Sequence, residues 1–194
     1  MVNKVVEYLG ALEVDVTKHH DNSSKTRTVN VNGIVAYHNS KKRDLDISVH
    51  FNAASKTDIA RGVEVLYYSD FTRTLATIVS AAISKASGLK DRGPKKRTDL
   101  GFLKRTAIPS ILIEVCFVDS KADVKAYHDN FDEICKAIAE SLTGKKLEVK
   151  KYHTVVKGDT VSDISRKYQV TIKQIKDLNK LNSKYTIELV KSYV

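Results

Sequence analysis

Residues 46–54 read DISVHFNAA and residues 111–120 read ILIEVCFVDS. Each sets one polar side chain of catalytic type at the end of a short β-branched run. An imidazole such as His50 serves as a metal ligand or base, and a carboxyl such as Glu114 serves as a base, an acid or an anionic stabiliser. A strand end holds such a group rigidly beside a loop that a substrate can reach. A third feature, residues 152–182, YHTVVKGDTVSDISRKYQVTIKQIKDLNKLN, reads as a separate module. The two cysteines, Cys116 and Cys135, have no metal-type spacing. Cys116 is expected to be a small buried strand residue.

The elements that must position these groups follow from hydrophobic period. Val2, Val5, Val6, Leu9 and Leu12 recur at helical spacing, and Val14 and Val16 then alternate as a strand. Asn22-Ser23-Ser24 is expected to turn and cap a second helix running to about Asn39, before a strand over 45–49 and another over 62–68. Residues 71–87 predict an amphipathic helix with Leu75, Ile78, Val79, Ala82 and Ile83 on its buried face, stopped by Gly88. Residues 91–105 read as a basic loop. Residues 109–118 are nearly all apolar, as a central strand covered on both faces requires. Ser120 caps a further helix, and 131–142 forms the last one, closed by Gly144. Strands alternating with helices predict an α/β domain with helices on both faces of its sheet. The second module reads as a strand at 153–156, a Lys157-Gly158-Asp159 turn, two helices from Thr160 and Thr171, and a final strand near 185–194.

Composition narrows the function classes. The 194 residues are 42% hydrophobic with no run long enough to span a membrane, and the net charge is +10. Lys and Arg number 21 against 18 acids up to Gly144, but 12 against 5 afterwards, so the C-terminal module carries most of the excess. A basic module is drawn to polyanions, including nucleic acid, a membrane surface or bacterial wall polymers. Nucleic acid is the weakest of these, because the tail has few aromatics on which bases could stack. The N-terminal stretch lacks the charged, apolar and small-residue regions of a secretion signal.

Four ordered blocks carry a family resemblance: SVHFNA at 48–53, GVEVLYY at 62–68, GLKDRGPKKRTDLGFLK at 88–104 and IPSILIEVCFVDSKAD at 108–123. Together they resemble the zinc-dependent N-acetylmuramoyl-L-alanine amidases of the amidase family 3 type, as found in phage endolysins and sporulation-type autolysins. Residues 152–194 resemble a LysM domain. The resemblance implies a peptidoglycan hydrolase that cleaves the amide between N-acetylmuramic acid and L-alanine. Its catalytic domain would be residues 1–144, with a mixed sheet flanked by helices, followed by a linker at 145–151 and the βααβ LysM domain. The partners implied are peptidoglycan glycan chains and stem peptides, with no specific nucleic acid and no membrane insertion. A monomer is expected, acting outside the cell or in the wall and reached without a classical signal peptide.

Carried over by motif, His50 is a zinc ligand and Glu114 the catalytic glutamate, while Gly158, Asp159, Thr160 and Val161 fall where LysM modules hold N-acetylglucosamine chains. The family's other two zinc ligands, a His and a Glu, lie upstream of what aligns with Met1 and have no counterpart. Glu7 lies too far along the first helix; His19 and His20 are read as a solvated turn, and His38, His128 and His153 as surface residues. The expectation is a sheet lacking its first strand in a chain that binds Zn2+ weakly or not at all, and the alternative reading is a non-catalytic wall-binding remnant. The uncapped first helix is read as a sign of lost upstream sequence; a C-terminal TIEL running into VKSYV is what a frameshift or truncation near Leu189 would produce, with Val190, Tyr193 and Val194 still able to make a short strand.

Overall fold

A computed structural model describes residues 1–147, 153–184, 187 and 192–193. The chain divides into two compact units, Met1–Leu147 and Glu148–Val194. In the first, α1 (Val2–Ala11) and α2 (Arg27–Asn39) precede β1 (Asp46–Asn52) and β2 (Val63–Tyr67). A 3-10 turn leads into α3 (Arg73–Ser87), then β3 (Asp91–Lys96), α4 (Gly101–Arg105), β4 (Ser110–Phe117), α5 (Lys121–Asp129) and α6 (Phe131–Thr143). The sheet order is β1-β4-β2-β3. β4 runs parallel to β1 and antiparallel to β2, and β3 lies parallel to β2. The apolar 109–118 run therefore occupies the middle of a mixed sheet.

Alternation along the strands sorts the residues into two faces. Val63, Val65, Tyr67, Ile111, Ile113 and Val115 join α1, α3 and α6 in the main core. Leu66 and Leu112 face the other way, under Phe102 and Leu103 of α4 and Ile34 of α2. Glu64 and Glu114 alternate onto this second face, and His50 follows Ile47 and Val49 out of phase, so it lies there too. One layer makes the core while the other leaves a partly covered polar row.

Several expectations are corrected. Residues 14–17 form no strand: Val14 and Val16 pack side-on against the core, and among the described residues no strand edge pairs with them. The second helix is capped by Thr26, which accepts from the Val29 amide at 3.3 Å; Asp21 instead folds the Ser23–Ser24 turn back on itself. Ile78 is 49% exposed rather than buried, and the inner face of α3 is Ala76, Val79, Ser80 and Ile83. The basic stretch from Asp91 is an edge strand and a short helix. Pro94 is tolerated because an edge strand has one side free of ladder bonds. β1 extends to Asn52, so His50 lies within the strand, just before a register irregularity.

Two positions link the strands to the loops around them. Gly62 has φ +106°, and a Cβ there would come within 2.1 Å of the Lys90 carbonyl oxygen, so the close approach of β2 to the chain entering β3 requires glycine. Asp123, fully buried in α5, accepts from the backbone amides of Arg61, Gly62 and Phe117. A buried carboxylate is sustained by such donors, and here it ties the loop before β2 to the end of β4.

The second unit contains β5 (His153–Thr154), α7 (Val161–Tyr168), α8 (Ile172–Asn179) and β6 (Ser192–Tyr193), with β5 antiparallel to β6. Its core is Val155, Val161, Ile164 and Ile175. Thr160 caps α7, and Thr171 caps α8 in a reciprocal capping box with Gln174. Most of the linker and of the final strand expected at 185–194 lies outside the described residues.

Candidate functional site

His50, Glu114 and Glu64 lie in one row across three strands: His50 is the Cα partner of Glu114, and Glu114 of Glu64. Neighbouring strands are about 4.8 Å apart, so three groups that could transfer protons or bind cations sit side by side. Glu64 is engaged on both oxygens. Asn52 Nδ2 donates to one at 2.9 Å and Arg92 Nε to the other at 2.7 Å, with the Glu64 side chain only 12% exposed. Arg92 also stacks over the Phe117 ring, 5.1 Å from its centroid.

Glu114 is the contrasting member. Its Oε2 is buried with no hydrogen-bond partner. Burial and, secondarily, the Glu64 charge push its pKa up to about 7, against a smaller opposing pull from Arg97. His50 is exposed to solvent, yet partial desolvation by the surrounding chain holds its pKa below the ordinary imidazole value. A carboxyl near neutrality beside a histidine suits proton transfer at physiological pH.

The other histidines and Glu7 are elsewhere. Glu7 is an exposed helix carboxylate paired with Lys4. His19 is not a solvated turn residue: its ring stacks on Tyr37 at 4.0 Å and its Nε2 is buried without a partner. His38 is not a free surface group, because its Nδ1 meets the buried Asp46 at 2.6 Å, beside Arg43. His153 is buried, bonded to Asp159 and Tyr168. Among the described residues no group of three or more His, Cys, Asp or Glu is arranged to hold a metal ion. The donors brought together do not fit a closed zinc site, since one of the three, Glu64, is committed to Asn52 and Arg92.

Glu64, Asn52 and Arg92 escaped sequence reasoning. The available signal was an acid between Val63 and Val65 in a strand buried on both sides, which must find a partner. Cys116 is 1% exposed, and burial pushes its thiol up to about 12, so it is inert.

In the second unit a groove of about 630 Å³ is lined by Asp159, Thr160, Val161 and Ser162 at the start of α7, and by Ile172 and Lys173 at the start of α8. Asp159 Oδ2 accepts from the Val156 amide at 2.8 Å, which with the His153 contact holds its pKa below the usual carboxylate range. Gly158 is not part of the lining; its φ of +100° makes the turn that presents Asp159.

Comparison with known proteins follows this division. The family profile described as N-acetylmuramoyl-L-alanine amidase matches residues 1–144, and that of the LysM domain matches residues 153–190. An uncharacterised protein of Clostridium perfringens is 34% identical over 109 residues, which cover 54% of this chain and 32% of that protein. The endolysin of Bacillus phage SPP1 is 33% identical over 122 residues, covering 56% of this chain and 44% of the endolysin. The chain thus spans less than half the length of these curated relatives. Among solved structures, the catalytic domain of the CD27L endolysin targeting Clostridia Difficile superposes with a TM-score of 0.64 at 27% identity, covering 76% of this chain and 83% of that one.

Proposed function

The chain belongs to the N-acetylmuramoyl-L-alanine amidase family and carries a LysM domain, and from that premise we propose that it hydrolyses the amide between N-acetylmuramic acid and L-alanine in peptidoglycan. The observation that carries the reading is Glu114, a half-buried carboxyl with one unpartnered oxygen in the central strand, in register with His50. In the reading, Glu114 takes a proton from the attacking water and delivers it to the leaving amine, while His50 lies alongside. Glu64 holds the end of β1 through Asn52. The groove at the helix starts of the second unit, with Asp159, Thr160 and Val161, grips the glycan chain, and Gly158 shapes the turn that leads into it. Residues 1–144 act as the catalytic part, 145–151 as linker and 152–194 as wall anchor, in a monomer working at the cell wall.

Zinc, when bound, supplies Lewis-acid polarisation of the scissile carbonyl in this family. His50 is the residue in this chain proposed to contribute to it. Among the described residues the donor set around His50 does not complete such a site. That same observation favours a second reading, in which the chain binds walls without cutting them.

Purified walls separate the two. The hydrolase releases new L-alanine amino groups with no new reducing sugar ends, and Glu114→Gln lowers this release by at least about 100-fold, the scale of a lost general acid–base. Reducing ends in place of amino groups would overturn the amidase assignment. Retention on insoluble peptidoglycan without any release would leave the wall-binding reading.

A further inference from the structure

A second groove, of about 810 Å³, opens where the carboxyl ends of the parallel strands β1 and β4 give way to the loop at 53–62 and to the start of α5. Crevices at this end of a sheet are where α/β folds receive ligands. Val118 and Val124 line it with three lysines, Lys56, Lys121 and Lys125, and two acids, Asp58 and Asp119, the second of them held by the Ala54 amide. We propose that this groove is a subsite for the distal, carboxylate-bearing end of a peptidoglycan stem peptide whose scissile amide lies at Glu114. The proposal rests on the hydrolase reading above for its substrate and names where that substrate extends.

Reach, rigidity and charge support it. From Glu114 to Val118 the chain advances four residues, about 13 Å at strand rise, and an extended peptide of four residues spans about the same distance. The loop side of the groove is stitched to the strand side: the Thr57 amide donates to the Asp119 carbonyl at 2.9 Å, the Lys121 amide to the Thr57 carbonyl at 3.0 Å, and Ser120 Oγ to the Ile59 carbonyl at 2.8 Å. Asp119 accepts from the Ala54 amide, and Asp123 fixes the loop's far end. The groove is therefore preformed, which spares a ligand the cost of ordering it.

Among the described residues Lys56 has no acidic partner. Lys121 pairs with Asp58 at 2.8 Å, but these side chains are 85% and 78% exposed, and Lys125 pairs with Asp129 in similar exposure. Bridges so open to water contribute little, so a ligand carboxylate can replace Asp58 as the partner of Lys121.

The test uses the full 194-residue chain, 15N-labelled, titrated with the N-acetylated tetrapeptide Ac-L-Ala-D-Glu-L-Lys-D-Ala and with the same peptide carrying both carboxyls as amides. The free acid is expected to shift the amides of Thr57, Val118, Lys121 and Lys125, and the amidated form to bind about three- to five-fold more weakly, the scale of exposed charge contacts. Replacing both lysines of α5, Lys121→Glu with Lys125→Glu, should weaken the free acid by about the same factor; the pair Lys121→Gln with Lys125→Gln should weaken it less. Lys85→Glu, at the far end of α3, should change nothing. Equal binding of both peptides, shifts confined to residues 153–184, indifference to the α5 substitutions, or no binding at all would overturn the proposal. Alanine release from walls is read separately: walls cut with an indifferent groove defeats the subsite alone, and peptide held in the groove without cutting defeats the hydrolase alone.

Discussion

Glu114 and Glu64 are the same residue type on adjacent strands, one carboxylate paired and one left open. Glu64 keeps Asn52 and Arg92 as donors, while Glu114 keeps an unpartnered oxygen and a pKa of about 7. The sign of the linkage follows. Folding raises this acid above its ordinary 4.5, so the folded state holds more protons than the unfolded chain between the two values. The favourable contribution is present below about 4.5 and disappears as pH rises through about 7, leaving a buried charge above it. In metal-free protein, Glu114→Gln is therefore expected to raise the free energy of urea unfolding at pH 8, by about 1 kcal/mol once solvent screening of a half-open site is allowed for. The gain should vanish at pH 4. A gain of the same size at both pH values would mean that the carboxyl is not strained by burial.

At the scale of elements, the polar row depends on how β2 is fastened. Gly62 is the point where β2 starts beside Lys90, and Asp123 reaches across to the same amide. Gly62→Ala forces a Cβ onto a backbone oxygen in a left-handed conformation, and is expected to cost about 3 kcal/mol or to prevent folding. Asp123→Ala strands three amides, two of them buried, at a cost of about 2–4 kcal/mol. Equilibrium urea unfolding measures both. The element that sequence reading missed, β3, is bonded to the sheet on one side through β2, which makes its Pro94 acceptable. Its Arg92 carries the cation that neutralises Glu64.

At the scale of the whole molecule, each unit has its own core, and among the described residues that of the second has four buried apolar side chains. So small a core has little reserve. Ile164→Ala removes 1%-exposed bulk from it and is expected to cost about 2–4 kcal/mol, enough to unfold the unit and abolish retention on walls. The urea transition of the first unit should stay where it is. Acid should weaken the second unit too: Asp159 and Asp163 are held below their ordinary 3.8 by hydrogen bonds, so their contribution is present above that value and is lost as pH falls below it. Asp159→Asn should flatten this acid limb in thermal melts of the chain.

Much of the architecture was legible in order of residues alone. Hydrophobic period, the glycine stops at Gly88 and Gly144, and the caps at Ser120, Thr160 and Thr171 act within a few residues of themselves, so local sequence determines them. His50 and Glu114 stood out for the same reason, as polar groups inside apolar runs. What local pattern does not contain is who stands beside whom. That β4 lies between a parallel and an antiparallel neighbour, that Glu64 faces Glu114, that Arg92 comes from a strand rather than a loop, and that residues 14–17 pair with no strand among the described residues are facts about register. Register is decided by which apolar faces pack together across a hundred residues, and only the tertiary structure brings them within bonding distance.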